Sequence, residues 1–595
     1  MPPTRTSPPR PRPLAPALHA IAVALLLAVL AVAVAGCGSS SSPGTAADPA
    51  SVIPASAPLY VGAVVRPSGA LKTAAITAAR TLTHQPNAYS RLLGVLQPPG
   101  SPPLDYSQEI APWLGANAGI FLTSLGASGQ AELGQLQKLL TQVLQGGAGG
   151  GATSPSAWPF GATGVEGAIV LDTSNLTKAR SFLSTEAQHA GAQAGAYRGV
   201  SYQTISGGVA FAVVGRFVAI GSVAGLHGVI DTELGGPSLV HAAGYSKLLA
   251  SAPSGVLAHV YANPGASSPG AAASASSLLG LLSGTHQLDV SLVPSSDSIA
   301  LDLDTLASGA EAGNGGLLAS GAEGAQALSE LPGESWLAAG LGHVGATLSG
   351  DVQALHGLAS LVTSLGGAAG ASAESSAPAG FNVKGLLEGI LTPLSALSSP
   401  GAQTQHDFLS WMSSAGIFAS GTTIVNLRAG IVIDSNNPSL SHAAIAKLST
   451  LLNKAGGSVG PISIPGTDAA ISARLNGLPV ELDIANGRGS DGQTKFVIGL
   501  GEASVQDALH PASTLSSAAS SSVAAAALGE GARPSLTVDF PTLLNLLEGV
   551  GLSEDPSISK VIPYLRSLTT LAGGGKSLGG GIERYRLVLG LQQTG

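Results

Sequence analysis

The sequence predicts an α+β fold of two tandem related repeats, each a mainly antiparallel sheet with flanking helices. Three observations predict it: self-similarity that keeps its order along the chain, short apolar runs punctuated by turn residues, and intervening stretches with apolar residues three and four apart. Length agrees, since 595 residues exceed what one hydrophobic core normally holds.

From the N-terminus, residues 1–36 have the layout of a secretory leader: Arg5, Arg10 and Arg12 with no acid, then an uncharged apolar run over 20–36. The run ends in Val34-Ala35-Gly36-Cys37, which resembles the lipobox of bacterial lipoproteins and implies a diacylglycerol on the Cys37 thiol. Cys37 is the only cysteine, so it has no internal disulfide partner. The alternative is an uncleaved signal anchor, for which the run is slightly short of the about 20 residues that span a bilayer. Both place the bulk of the chain outside the membrane. Residues 37–50, with Gly38, Ser39 to Ser42, Pro43 and Gly44, read as a flexible tether.

The repeats are expected at 51–307 and 329–595, with a linker at 308–328. Ile53-Pro54 before Tyr60 matches Leu331-Pro332 before Trp336, and Leu92-Leu93-Gly94-Val95-Leu96 resembles Leu386 to Leu391. Trp113 with Gly119-Ile120-Phe121 matches Trp411 with Gly416-Ile417-Phe418. Ile169 to Asp172 then matches Ile431 to Asp434, and Arg216-Phe217-Val218 matches Lys495-Phe496-Val497. The numbering offset shifts between blocks, which locates a Gly-rich insertion near 145–158 and an Ala/Ser/Gly-rich one near 366–380. Loops lengthen cheaply at such places because closure entropy grows only logarithmically.

Strands are expected around 59–65, 117–123, 166–172, 209–221 and 297–304. A helix is expected through Leu133, Leu136, Leu140 and Val143. Asn175 and Asn437 have the chemistry of helix N-caps, the second with Pro438 at the first helical position. The short turn at 487–492 favours hairpins over a doubly wound parallel sheet.

Ile53-Pro54-Ala55 with Pro58-Leu59-Tyr60, Pro112-Trp113-Leu114-Gly115 before a strand, and Leu331-Pro332 with Trp336-Leu337 together resemble the bacterial domain-of-unknown-function family 3352. The resemblance spans most of the chain after the tether. The second half departs from it with Ser410-Trp411-Met412-Ser413. It implies an exported, often membrane-attached protein without an established biochemical activity, and it supplies no catalytic residues.

Net charge is −8, and the basic leader makes the remainder more acidic still. With no Lys/Arg cluster interleaved with aromatics, nucleic acid is excluded as a partner. Gly340-Leu341-Gly342-His343-Val344-Gly345 fits a dinucleotide fingerprint, but 81 glycines make such matches expected by chance. Gly573-Gly574-Gly575-Lys576-Ser577 lacks the first glycine of a phosphate loop, since Thr570 stands there, and reads as a turn before a strand. Gly456-Gly457-Ser458-Val459-Gly460 follows a helix and precedes a strand, the reverse of a hydrolase elbow.

The 12 histidines show no metal-ligand spacing, so neither a metal nor a cofactor is expected. Asp302 and Asp304 are expected on a solvated strand face, with Leu301 and Leu303 inward. Trp113 and Trp411 are expected to anchor core seams. No catalytic residue emerges. The expected function is a membrane-anchored binding or assembly module of the cell envelope. The alternatives are a carrier for an apolar small molecule or lipid and, remotely, an extracellular hydrolase.

Overall fold

The computed structural model describes residues 46–83, 106–125, 165–205, 208–263, 285–307, 321–345, 409–423, 425–454, 457–474, 481–549, 559 and 561–592. The leader, Val34, Ala35, Gly36, Cys37, both insertions, the Leu133–Val143 pattern and the Leu92 and Leu386 blocks lie outside the described residues.

Ten strands form the first lobe: β1 (Leu59–Val64), β2 (Leu114–Leu125), β3 (Val165–Thr173), β4 (Gln193–Tyr197), β5 (Val200–Ile205), β6 (Val209–Val214), β7 (Phe217–Ser222), β8 (Ala258–Ala262), β9 (Thr285–Pro294) and β10 (Ser298–Ala307). Ten more form the second: β11 (Ser335–Leu341), β12 (Met412–Ser420), β13 (Arg428–Ser435), β14 (Ser458–Pro461), β15 (Thr467–Arg474), β16 (Leu482–Arg488), β17 (Thr494–Leu500), β18 (Arg533–Asp539), β19 (Leu568–Gly579) and β20 (Ile582–Leu591). All belong to one 20-stranded sheet in which every pairing is antiparallel.

From its first edge the sheet runs β4-β5-β6-β7-β3-β2-β1-β8-β9-β10. It continues β20-β19-β18-β11-β12-β13-β17-β16-β15-β14 to the other edge. The second sequence is the first traversed backwards, with each strand moved ten places along the chain. β10 and β20 join the lobes in the middle.

Helices cover both faces. In the first lobe α1 (Gly69–Thr83) packs on β9 and α2 (Leu176–His189) on β6. On the other face α3 (Val223–Glu233) packs on β3, β6 and β7, and α4 (Ala243–Ser251) on β9 and β10. In the second lobe α5 (Gly321–Ser329) packs on β11, β12 and β18, α6 (Pro438–Lys454) on β14–β16, α7 (Gly501–Leu509) on β13, β16 and β17, and α8 (Ala519–Leu528) on β18–β20. Asn175 caps α2 by accepting from the Lys178 amide at 3.0 Å, and Asn437 accepts from the Leu440 amide at 3.3 Å ahead of α6. Both tryptophans are core residues, 2% and 1% exposed for Trp113 and Trp411. Their carbonyls accept from the equivalent amides of Ser174 and Asn436.

Several expectations need correcting. The strand expected at 209–221 is the hairpin β6–β7, turned at Gly215, whose φ of 56° is one that glycine adopts readily. Residues 321–328, read as linker, belong to α5, and Ala50 at the supposed end of the tether is fully buried. Gly573, Gly574 and Gly575 lie inside β19, and the turn comes later at Gly579 to Gly581, all with positive φ. Matching Arg216 with Lys495 is one residue out. In register Asp172 faces Phe217 whereas Asp434 faces Lys495, and a one-residue slip exchanges the two sides of a strand.

Asp302 and Asp304 are not solvated. They are 1% and 2% exposed, on the side covered by α4, because two arginines of β20 stand opposite them. Leu301 and Leu303 take the other, half-buried side.

Candidate functional site: a buried polar row at the sheet centre

Counting registers inward from the buried Phe121 gives one row across the first lobe: Phe121, Tyr60, Tyr261, Asp289, Asp304 and, on β20, Arg584. Directly opposite residues of an antiparallel pair share a side, so the row is a continuous strip under α4. One step along lie Ser291, Asp302 and Arg586.

His259 Nδ1 is 2.8 Å from Asp289 Oδ1, and the Ser291 hydroxyl donates to Asp289 Oδ2 at 2.9 Å. Tyr60 and Tyr245 present rings 5.5 and 6.0 Å from the imidazole, and Tyr245 meets Tyr261 edge-on at 5.1 Å. Burial disfavours the imidazolium, yet the charge and hydrogen bond of Asp289 outweigh it and raise the His259 pKa. Burial likewise raises the phenols of Tyr60 and Tyr245, so both stay protonated.

These groups contain the elements of a nucleophilic relay in the wrong order. Both the serine and the histidine spend their hydrogen bond on the carboxylate, whereas a relay needs the hydroxyl on the far imidazole nitrogen. That nitrogen, His259 Nε2, sits over Gly62, where a Cβ would stand 2.5 Å from it and 2.9 Å from the Tyr60 hydroxyl. The geometry can store a proton and an ion pair, and the Ser291 hydroxyl is spent on Asp289.

At the junction Arg584 Nε donates to Asp304 Oδ1 at 2.6 Å and Arg584 Nη2 to Asp304 Oδ2 at 2.7 Å. Arg586 repeats this fork on Asp302 at 2.6 and 2.7 Å. Ser251 of α4 completes the site, its hydroxyl donating to Asp304 at 2.9 Å and its carbonyl accepting from Arg584 at 2.6 Å. Bidentate pairing with spare lone pairs satisfied is what lets charges stay buried.

The second lobe has its own charged centre off the row. Lys495 Nζ lies 2.6 Å from Glu330, 3.0 Å from Asp434 and 3.0 Å from Asp491. Burial works against its charge, but the carboxylates hold its pKa above the ordinary lysine range.

Residues 18–569 match the family described as "Protein of unknown function (DUF3352)". The chain belongs to the DUF3352 family. No curated protein is similar to it. Among solved structures, crystal form I of TP0453 is similar at 10% identity over 45% of this chain and 81% of that one, with a TM-score of 0.23. Crystal form III gives 10%, 45%, 82% and 0.23.

In this DUF3352 chain, no cluster of three His, Cys, Asp or Glu residues fit to hold a metal ion occurs among the described residues. Nor, among the described residues, is any helix long and apolar enough to cross a membrane. The dinucleotide-like run has a packing explanation. Gly340 sits where a Cβ would collide with the Gly324 carbonyl of α5, so the glycine permits helix and strand to touch. Sequence reasoning missed His259, Asp289, Arg584 and Arg586. One signal was available: the last strand of each lobe carries like charges at alternate positions, acidic in β10 and basic in β20.

Proposed function

We propose that this DUF3352 chain is exported, lipid-anchored through Cys37, and acts outside the membrane as a binding or assembly module of the cell envelope. The observation that carries the address is the sole cysteine standing directly after an apolar leader and Val34-Ala35-Gly36. We further read the module as a tandem duplication. Supporting this are the shared strand order and a paired detail: isolated bridges Pro54–Ser238 and Pro332–Thr514 occupy equivalent places in the two lobes. A binding role, and not chemistry, suits a centre whose charges are spent on each other. The remote hydrolase reading would need a hydroxyl at His259 Nε2.

A second reading, a carrier for an apolar molecule or lipid, is favoured by the half-buried aliphatic side of the central strands, where Val260, Val290, Leu301, Leu303, Leu587 and Leu589 lie.

Mass spectrometry of the mature N-terminus tests the anchor. A diacylglyceryl thioether on Cys37 is expected, with loss of membrane association in Cys37→Ala; a retained Met1 and free thiol would overturn it. Solvent extraction of the purified domain separates the two roles, since a stoichiometric lipid supports the carrier and its absence supports the module.

A further inference from the structure

We propose that Asp302, Asp304, Arg584 and Arg586 form the code by which the first lobe selects the second in preference to another copy of itself. This rests on reading the lobes as repeats. β10 and β20 close their lobes at equivalent places in the strand order and pair antiparallel, with Asp302 opposite Arg586 and Asp304 opposite Arg584. Asp304 and Val588 are equivalent positions, since they face Asp289 and Ala572 respectively, so Asp302 and Arg586 are equivalent too. The Asp302–Arg586 pair therefore lies on the local two-fold axis of the junction.

Strands meeting across such an axis would, in an unspecialised repeat, meet their own kind. Two β10 strands in that register would set Asp302 against Asp302 and leave Asp304 beside Ala300. Two β20 strands would set Arg586 against Arg586 and Arg584 beside Val588. Like charges directly opposed on a strand pair repel, and a buried charge without its partner is strongly destabilising.

Only the mixed pairing satisfies all four groups. In it the side chains of Asp302, Asp304 and Arg584 are 0%, 3% and 7% exposed. The two forks also fix register, because each matches one carboxylate to one guanidinium in a defined orientation. Acid on one strand and base on the other thus act as attraction toward the correct lobe and repulsion from the wrong one.

The test uses the full chain carrying a protease site within 308–320, cut after folding and run on size exclusion. The unaltered halves are expected to stay together. D302R and R586D each oppose like charges and should weaken the association by at least about a hundredfold, so that the halves part. The exchange D302R/R586D should restore co-elution. Single reversals that leave the halves together, or an exchange no better than the singles, would overturn the code. If a single reversal prevents folding before cleavage, the exchange decides alone: recovered folding supports the code and continued failure rejects it. Failure here would leave the repeat reading standing, since that rests on strand order and is judged by superposing the two lobes.

Discussion

The same row of positions crosses both lobes and is filled in opposite ways. In the first it reads Phe121, Tyr60, Tyr261, Asp289, Asp304, Arg584; in the second it reads Phe418, Ala338, Thr537, Ala572, Val588, Ala300. The covering helices follow suit. Tyr245 and Leu248 of α4 are buried over the polar row, whereas α8, rich in Ala and Ser, buries Ala524 and Leu528 over the small one. One backbone arrangement therefore tolerates either a hydrogen-bonded ionic centre or a thin apolar one, provided the helix above is matched in bulk.

The sharpest way to break the comparison is to remove charge from one row and volume from the other. Arg584→Met should cost about 3–5 kcal/mol by leaving Asp304 buried and unpaired. Val588→Ala should cost about 2 kcal/mol, the loss of packed methyls. Denaturant unfolding of each variant measures both, and equal costs would deny that the first row depends on charge.

A smaller effect asks what the lobes share. Gly62 faces Gly119 and Gly340 faces Gly416 in equivalent registers. A Cβ at Gly62 meets His259 and Tyr60, while one at Gly340 meets the backbone of α5. Alanine at either position should destabilise by about 1–3 kcal/mol through overpacking. The Gly340 variant should be the worse, because side chains yield more readily than backbone. Thermal midpoints of G62A and G340A decide the order.

Protonation gives a third distinction. His259 has a raised pKa in the folded chain, so its contribution is fully present below the unfolded value of about 6.5 and is lost as pH rises through the folded one. The stability gap between the unaltered protein and His259→Gln should therefore narrow as pH rises from about 6 to about 9. A gap that widens over that range would mean that the neutral imidazole is the favoured form. The second lobe fills that place differently: β18 is bulged between Pro534 and Leu536, and the Ser535 hydroxyl lies 3.3 Å from that of Tyr585, on the other side of the sheet from the row.

How much of this was legible in the sequence follows from the range of each interaction. Apolar alternation and turn residues act locally, and they placed the strands, the helix caps and the two tryptophan seams. Asp302 and Arg586 are 284 residues apart, and nothing local marks a carboxylate as facing inward until its partner strand is known. The ordinary expectation that Asp304 meets water failed for that reason. The register of β7 against β17 failed for another, because a two-residue turn at Gly215 and a longer one from 489 to 493 shift the aromatic residue to opposite sides.

The smallest effect bears on the part of the comparison that local sequence did determine. Asn175 and Asn437 each stand at the entry of the helix that follows the third strand of their lobe, and each side chain accepts from an amide of the first turn, although the Leu440 amide also donates to the Asn437 carbonyl at 3.1 Å. Replacing either by alanine should cost about 1 kcal/mol. The contact at Asn175 is the shorter, 3.0 against 3.3 Å, but Pro438 already fixes the first residue of α6 in a helical φ and so lowers what its cap must supply. Asn175→Ala should therefore be the more costly of the two, and Pro438→Ala combined with Asn437→Ala should bring the second helix level with it. Should Asn437→Ala alone prove the more damaging in urea unfolding, the two helix entries are stabilised by different means, and their equivalence in the strand order does not extend to their energetics.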